Sequence, residues 1–193
     1  NKVALVVFAG NAYMQMPMTN DASSAKLFLD GVSTKMVPTQ GTAIGAAINM
    51  GVQTFSRSKK SQKAIVVITD GENFEDDASD AAHQAHKKNG IQVDVMGVGS
   101  SHGAPIPMDG GGYLTDEGGQ VVTTFLNADM AQQIAHAGGG VYVDGNAPDA
   151  AQTLYDTLNK LSKTDLATVD YSRRDELFPV FAWIALALLV ALS

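Results

Sequence analysis

The chain has 193 residues, enough for one well-packed domain and short for two. Its formal net charge of -7, with basic residues scattered rather than clustered, excludes a nucleic-acid surface, because phosphate binding requires a basic footprint. The absence of cysteine excludes disulfides, zinc thiolates and thiol nucleophiles together, and leaves the compartment open.

The sequence opens at Asn1 without a start methionine and directly in an apolar run, which reads as a fragment whose upstream part is missing. Val3 to Phe8 has the pattern of a buried strand, closed by Ala9-Gly10-Asn11. Tyr13 to Thr19 alternates loosely and tolerates Pro17, which suits an edge strand, so the two predict a hairpin at one sheet edge. Asn20-Asp21 can cap a helix from Ala22 to about Asp30, with Ala25, Phe28 and Leu29 facing inward and Gly31 as its stop. A loop with Pro38-Thr39-Gln40-Gly41 then feeds a helix from about Thr42 to Phe55, in which Ile44, Ala47, Ile48 and Val52 share a face. Thr42 stands where either an N-cap hydroxyl or a ligand hydroxyl belongs, and spacing alone leaves both readings open.

The stretch from Lys63 to Glu72 organises the rest. Its apolar run from Ala64 to Ile68, followed at once by Thr69-Asp70-Gly71, predicts a strand buried on both faces. Asp70 is thereby presented at the C-terminal edge of the sheet, where open α/β folds bind ligands. A carboxylate there with a neighbouring hydroxyl is hard-oxygen chemistry, suited to Mg²⁺ or Mn²⁺. The acidic run of Glu72, Glu75, Asp76, Asp77 and Asp80 is either the charged first turn of a helix running to Lys88 or a rim for docking a partner. His83 and His86 on that helix read as a solvated face.

Ile91 to Val98 predicts the next strand. Its glycine-rich exit is followed by Ala104-Pro105-Ile106-Pro107 and not by a helix, which argues against a dinucleotide loop. Pro107 to Phe125 reads as a hairpin, an excursion from the sheet and not part of a catalytic core. Asn127 caps a helix to about Ala137, Gly138-Gly139-Gly140 ends it, and Val141 to Val143 is a last short strand. A final helix from Ala147 to Leu161 puts Ala151, Leu154, Tyr155, Leu158 and Leu161 on one face. Residues 1–162 therefore form one domain, 163–176 a polar connector, and 177–193 an uncharged apolar segment that predicts a transmembrane helix continuing past Ser193, since a span needs roughly 20 such residues. Arg173 and Arg174 are offset by Asp175 and Glu176, so the flank does not set the orientation.

This order of elements predicts a doubly wound, mostly parallel α/β sheet with helices on both faces. Leu5 to Gly10, Thr39-Gln40-Gly41-Thr42-Ala43-Ile44-Gly45 and Ile68-Thr69-Asp70-Gly71-Glu72 together resemble the von Willebrand factor A domain. With the hairpin and the apolar C-terminus, the chain is similar to the bacterial Bat aerotolerance proteins. The resemblance implies a metal-ion-dependent adhesion site, with Thr42 giving a hydroxyl and Asp70 a carboxylate to Mg²⁺ or Mn²⁺. Gly41, Gly71 and Glu72 would support the loops, and Glu75, Asp76 and Asp77 would form the partner rim.

It also implies that the family's Asp-x-Ser-x-Ser motif and first, mid-sheet strand lie upstream of Asn1. Metal binding by this chain alone is then expected to be weak or absent, and its sheet to be completed by residues outside it. The implied function is not enzymatic: a domain anchored in the bilayer of the bacterial inner membrane, on the periplasmic side, engages a protein partner that offers Asp or Glu to the metal. The implied partners are a MoxR-type ATPase and other Bat-like membrane proteins. The alternatives are a metal-dependent hydrolase or phosphatase using Asp70 as base or nucleophile with Glu72 beside it, and an envelope scaffold with a vestigial site.

Overall fold

The computed structural model describes residues 2–34, 36, 37, 39, 41–55, 62–72, 77–108 and 110–168. A three-stranded parallel sheet in the order β3-β4-β7 forms its centre, with β3 at Lys63–Thr69, β4 at Ile91–Gly97 and β7 at Gly139–Asp144. The middle strand alternates as a core strand should: Ile91, Val93 and Val95 are fully buried and point at the helices α2 (Ile44–Thr54), α3 (Ala78–Asn89) and α4 (Ala128–Ala137). Ile44 and Ile48 come from α2, and Ala131, Ile134 and Ala135 from α4. The inner face of α3 is all alanine at 78, 81, 82 and 85, which lets that helix lie close to its neighbours.

Caps set the helix ends. The Asp77 carboxylate accepts from the Asp80 N–H at 2.8 Å, and Asn127 accepts from the Met130 N–H at 3.1 Å. Of the acidic run, Asp77 is thus the cap of α3 and Asp80 lies in its first turn, as a charged helix start requires. Asp94 is buried in the middle of β4, where Oδ1 accepts from the Val141 N–H at 2.9 Å and from the Gln92 side chain at 2.8 Å. Its side chain thus does the work of a ladder carbonyl where the β4–β7 register shifts between Val93 and Val95.

The hairpin expected at the N-terminus forms, with β1 (Val3–Phe8) antiparallel to β2 (Ala12–Thr19). It is, however, a separate two-stranded sheet and not the edge of the central one. Helix α2 packs on β1, β2 and β3, so one helix bridges the two sheets. The division makes β3 an edge strand of its sheet, and the expectation of burial on both faces fails there: Ile68 is 60% exposed, while Val67 and Thr69 are buried.

Helix α1 (Ala22–Asp30) starts at Asp21 and stops at Gly31 as the sequence predicts, but it has no buried residue. Leu27 is 73% and Leu29 60% exposed, because the two-stranded ribbon beneath it is too narrow to cover its apolar side. The last helix, α5 (Ala150–Thr168), begins three residues later than expected and runs on through residues 163–168, where a connector was predicted. It leans on β7 with Ala150 buried and Leu154, Leu158 and Leu161 half-buried, whereas Ala151 and Tyr155 face outward. Among the described residues no helix is long and apolar enough to cross a membrane; the apolar segment 177–193 lies outside them.

Candidate functional site

The turn that ends β3 is fixed by its own backbone. Thr69 is buried, its carbonyl accepts from the Val98 N–H at 2.9 Å, and its hydroxyl accepts from the Gly71 N–H at 3.1 Å. Asp70 Oδ1 accepts from the Glu72 N–H at 3.2 Å, a local turn that a short carboxylate side chain closes well. The Asp70 carbonyl accepts from the Asn127 N–H at 2.7 Å, which ties the turn to the cap of α4. Gly71 has φ +76°, and a Cβ there would lie 2.3 Å from the Asn127 carbonyl oxygen, so both conformation and space demand glycine.

With Oδ1 engaged in the turn, Asp70 Oδ2 is left to face the Thr124 hydroxyl, 3.2 Å away. The same hydroxyl lies 3.1 Å from Glu72 Oε2. Two carboxylates therefore converge on one hydroxyl, which has one proton to give. Thr124 belongs to β6 (Thr123–Thr124), which pairs with β5 (Ala104–Pro105) at the base of the hairpin. The hairpin is an excursion from the central sheet, as the sequence predicts, but through Thr124 it is in contact with the Asp70 turn. A signal for this was present: Thr124 stands three residues before the Asn127 cap, so the return strand must arrive at the edge from which α4 departs.

Thr42 follows Gly41, whose φ is +127°, and precedes Ala43, the N-cap of α2. The Thr42 hydroxyl is therefore not the helix cap, because the helix begins one residue later than the spacing suggests. Its loop is laced to the end of β1: the Ala43 N–H donates to the Ala9 carbonyl at 2.7 Å, and the Gly10 N–H to the Thr39 carbonyl at 3.1 Å. Among the described residues no hydrogen bond joins Thr42 to Asp70. Asp77 serves as the cap of α3, while Glu75 and Asp76 lie outside the described residues. His83 and His86 are exposed on α3, as expected of a solvated face.

The described side chains that meet at the Asp70 turn, those of Thr69, Asp70, Glu72 and Thr124, offer oxygen. Among the described residues no three His, Cys, Asp or Glu side chains gather as a metal cage. Hydroxyls must then complete any coordination, as they do for hard cations that keep several waters. The excess of carboxylate charge over hydroxyl protons around Thr124 fits a divalent cation of the Mg²⁺ or Mn²⁺ kind, with Asp70 as the carboxylate that would hold it.

Comparison with known proteins agrees with this architecture. Residues 1–108 match the model of the von Willebrand factor type A domain. An aerotolerance-related membrane protein from Bacteroides fragilis NCTC 9343, carrying multiple mutations to serine, is 45% identical, with a TM-score of 0.77 over 82% of this chain and 79% of that one. The conserved hypothetical protein BatB from Bacteroides thetaiotaomicron is 45% identical as well, with a TM-score of 0.80 over 84% of this chain and 80% of that one.

Proximal thread matrix protein 1 from the mussel byssus, in a form whose MIDAS motif is occupied by zinc, shares the fold alone. It is 19% identical, with a TM-score of 0.52 over 84% of this chain and 34% of that one. No curated protein matches the sequence. The parallel sheet with Asp70 at its C-terminal edge, the family match and the two Bacteroides relatives together place this chain in the von Willebrand factor type A domain family.

Proposed function

We propose that this chain is the interaction module of a membrane-anchored protein, in which a divalent cation held at Asp70 and Thr42 accepts a carboxylate from a protein partner. Residues 1–162 are the module, and the apolar segment 177–193 is the anchor in the inner membrane, with the module on its periplasmic side. Asp70 carries the reading: four hydrogen bonds of the Thr69–Glu72 turn, one from Val98 after β4, one from the α4 cap Asn127 and two within the turn, hold its carboxylate at the C-terminal edge, with Oδ2 turned out of the turn. A partner's Asp or Glu suits such a site because a hard cation with few protein ligands retains exchangeable waters.

The aerotolerance-related relatives favour a role in envelope stress tolerance, with a MoxR-type ATPase and other Bat-like membrane proteins as the partners. The family's order puts a further strand and the Asp-x-Ser-x-Ser ligands between β1 and β3. The split into a two-stranded and a three-stranded sheet and the exposed Ile68 support that completion. In the protein at its natural length, capture of the MoxR-type ATPase is expected to require Mg²⁺, to disappear with EDTA and to be lost in Asp70→Ala while the circular dichroism stays unchanged. Capture that survives the substitution counts against the site.

A further inference from the structure

Lysines that are scattered along the sequence are gathered by the fold at one edge. Strand β3 opens on Lys63, which pairs with Ile91, and α3 delivers Lys87 and Lys88 just before Ile91. Helix α2 starts beside Ala9 at the end of β1 and brings Gly51 against the Ile65 side chain near the start of β3, so β1 runs in the same sense as β3. Lys2, just before β1, therefore stands at the same edge. Helix α5 starts beyond the end of β7 and returns along it, which puts Lys160 about 15 Å down the helix, most of the length of a six-residue strand. Lys2, Lys87, Lys88 and Lys160 are exposed and Lys63 is half-buried.

The opposite, C-terminal edge carries Asp70, Glu72, Asp77, Asp129, Asp144 and Asp149, and the sequence has no Lys or Arg from Gly97 to Ala150. Along β3 the two edges are separated by about 20 Å, more than twice the screening length of about 8 Å at physiological salt, so the acids do not neutralise the lysines. The dipole of α3 accounts for Lys87 and Lys88 at its end, but not for Lys2 and Lys63, which open strands. At the lysine edge stands one capping acid, Asp21, whose carboxylate is engaged by Ser23 and Ser24 at the start of α1.

We propose that this lysine edge docks on the anionic phospholipid headgroups of the membrane in which the protein is anchored, an inference that rests on the anchor reading of residues 177–193. Helix α5 ends on the lysine side, and residues 169–176 reach at most about 30 Å beyond it. The acidic edge lies farther from the anchor by the length of α5, about 28 Å. An anionic surface attracts the near edge and repels the far one, so tether and charge select the same orientation. The Asp70 turn and the hairpin then face away from the bilayer, open to a protein partner.

The test reconstitutes the protein at its natural length into vesicles of phosphatidylcholine alone or of equal parts phosphatidylcholine and phosphatidylglycerol, with a nitroxide quencher on the headgroups. A fluorophore is placed at Asn89→Cys, beside Lys88, or at Glu117→Cys, on the hairpin; residues 1–193 hold no competing thiol. The Asn89→Cys label is expected to be quenched several-fold more in the anionic vesicles, and the Glu117→Cys label little in either. Lys87→Gln with Lys88→Gln should lower the docked fraction relative to the free by roughly an order of magnitude, and high salt should abolish docking.

Quenching at Asn89→Cys that ignores lipid charge or the two lysines, in protein that stays with the vesicles, overturns the docking alone, as does equal quenching of the two labels. Protein stripped from both kinds of vesicle by alkaline carbonate overturns the anchor reading and this inference with it. Should the doubly substituted protein fail to fold, the lipid and salt comparisons on the unsubstituted lysines still decide.

Discussion

Asp70 and Gly71 divide the work of the site between charge and shape. The carboxylate supplies the chemistry, whereas the glycine lets the turn pass close enough to Asn127 for the Asp70 carbonyl to be bonded. Gly71→Ala puts a Cβ where no Cβ fits, at a φ that costs about 1–3 kcal/mol for a residue with a side chain. The variant is expected to unfold at lower denaturant by at least that amount and to lose the Asn127 contact, visible as faster exchange of the Asn127 amide. Unchanged stability would mean that the turn relaxes freely and is not what aims Asp70.

Thr124 shows where reasoning along the sequence stops. Its partners are 54 and 52 residues away, and no periodicity connects a hairpin base with a turn that distant. Thr42 shows a different limit: a one-residue shift of a helix start, within the ordinary uncertainty of such boundaries, decides whether its hydroxyl caps the helix.

At the scale of elements, local chemistry was a good guide wherever it closed on itself. The caps Asp21 and Asn127, the stop Gly31 and the strand β1 lie where side-chain and glycine signals put them. Burial was the weaker part, because it depends on what lies next to an element. Ile68 reads as core in a run of β-branched residues and is exposed on an edge strand. Phe28 and Leu29 likewise read as the inward face of α1 and are exposed, with no sheet wide enough to cover them.

Helix α1 consequently depends on its cap more than the others do. Hydrogen bonds from the Ser24 hydroxyl and backbone and from the Ser23 N–H hold the Asp21 carboxyl below the usual carboxylate range. A lowered pKa means that this contribution is complete above the unfolded value and is lost as pH falls below about 4. The Ser23 and Ser24 amide resonances are expected to move toward coil values in that range before the core strand β4 does. If α1 outlasts β4 in acid, the cap is not what holds it.

For the whole molecule, the parallel α/β class, the order of elements and the carboxylate at the C-terminal edge were all legible from residue patterns. The division into two sheets was not, because strand pairing is a long-range property and here a helix, α2, packs on both sheets. That division fits a domain whose metal site is shared between the Asp70 turn, the Thr42 loop laced to β1, and ligands that the family places between them.

The most direct measurement is a calorimetric Mg²⁺ titration of the protein at its natural length, with Asp70→Ala beside it. The account predicts saturable binding to the wild type, none to the variant, and little to residues 1–193 alone. Equal binding by wild type and Asp70→Ala, or none by a folded wild type, would contradict it.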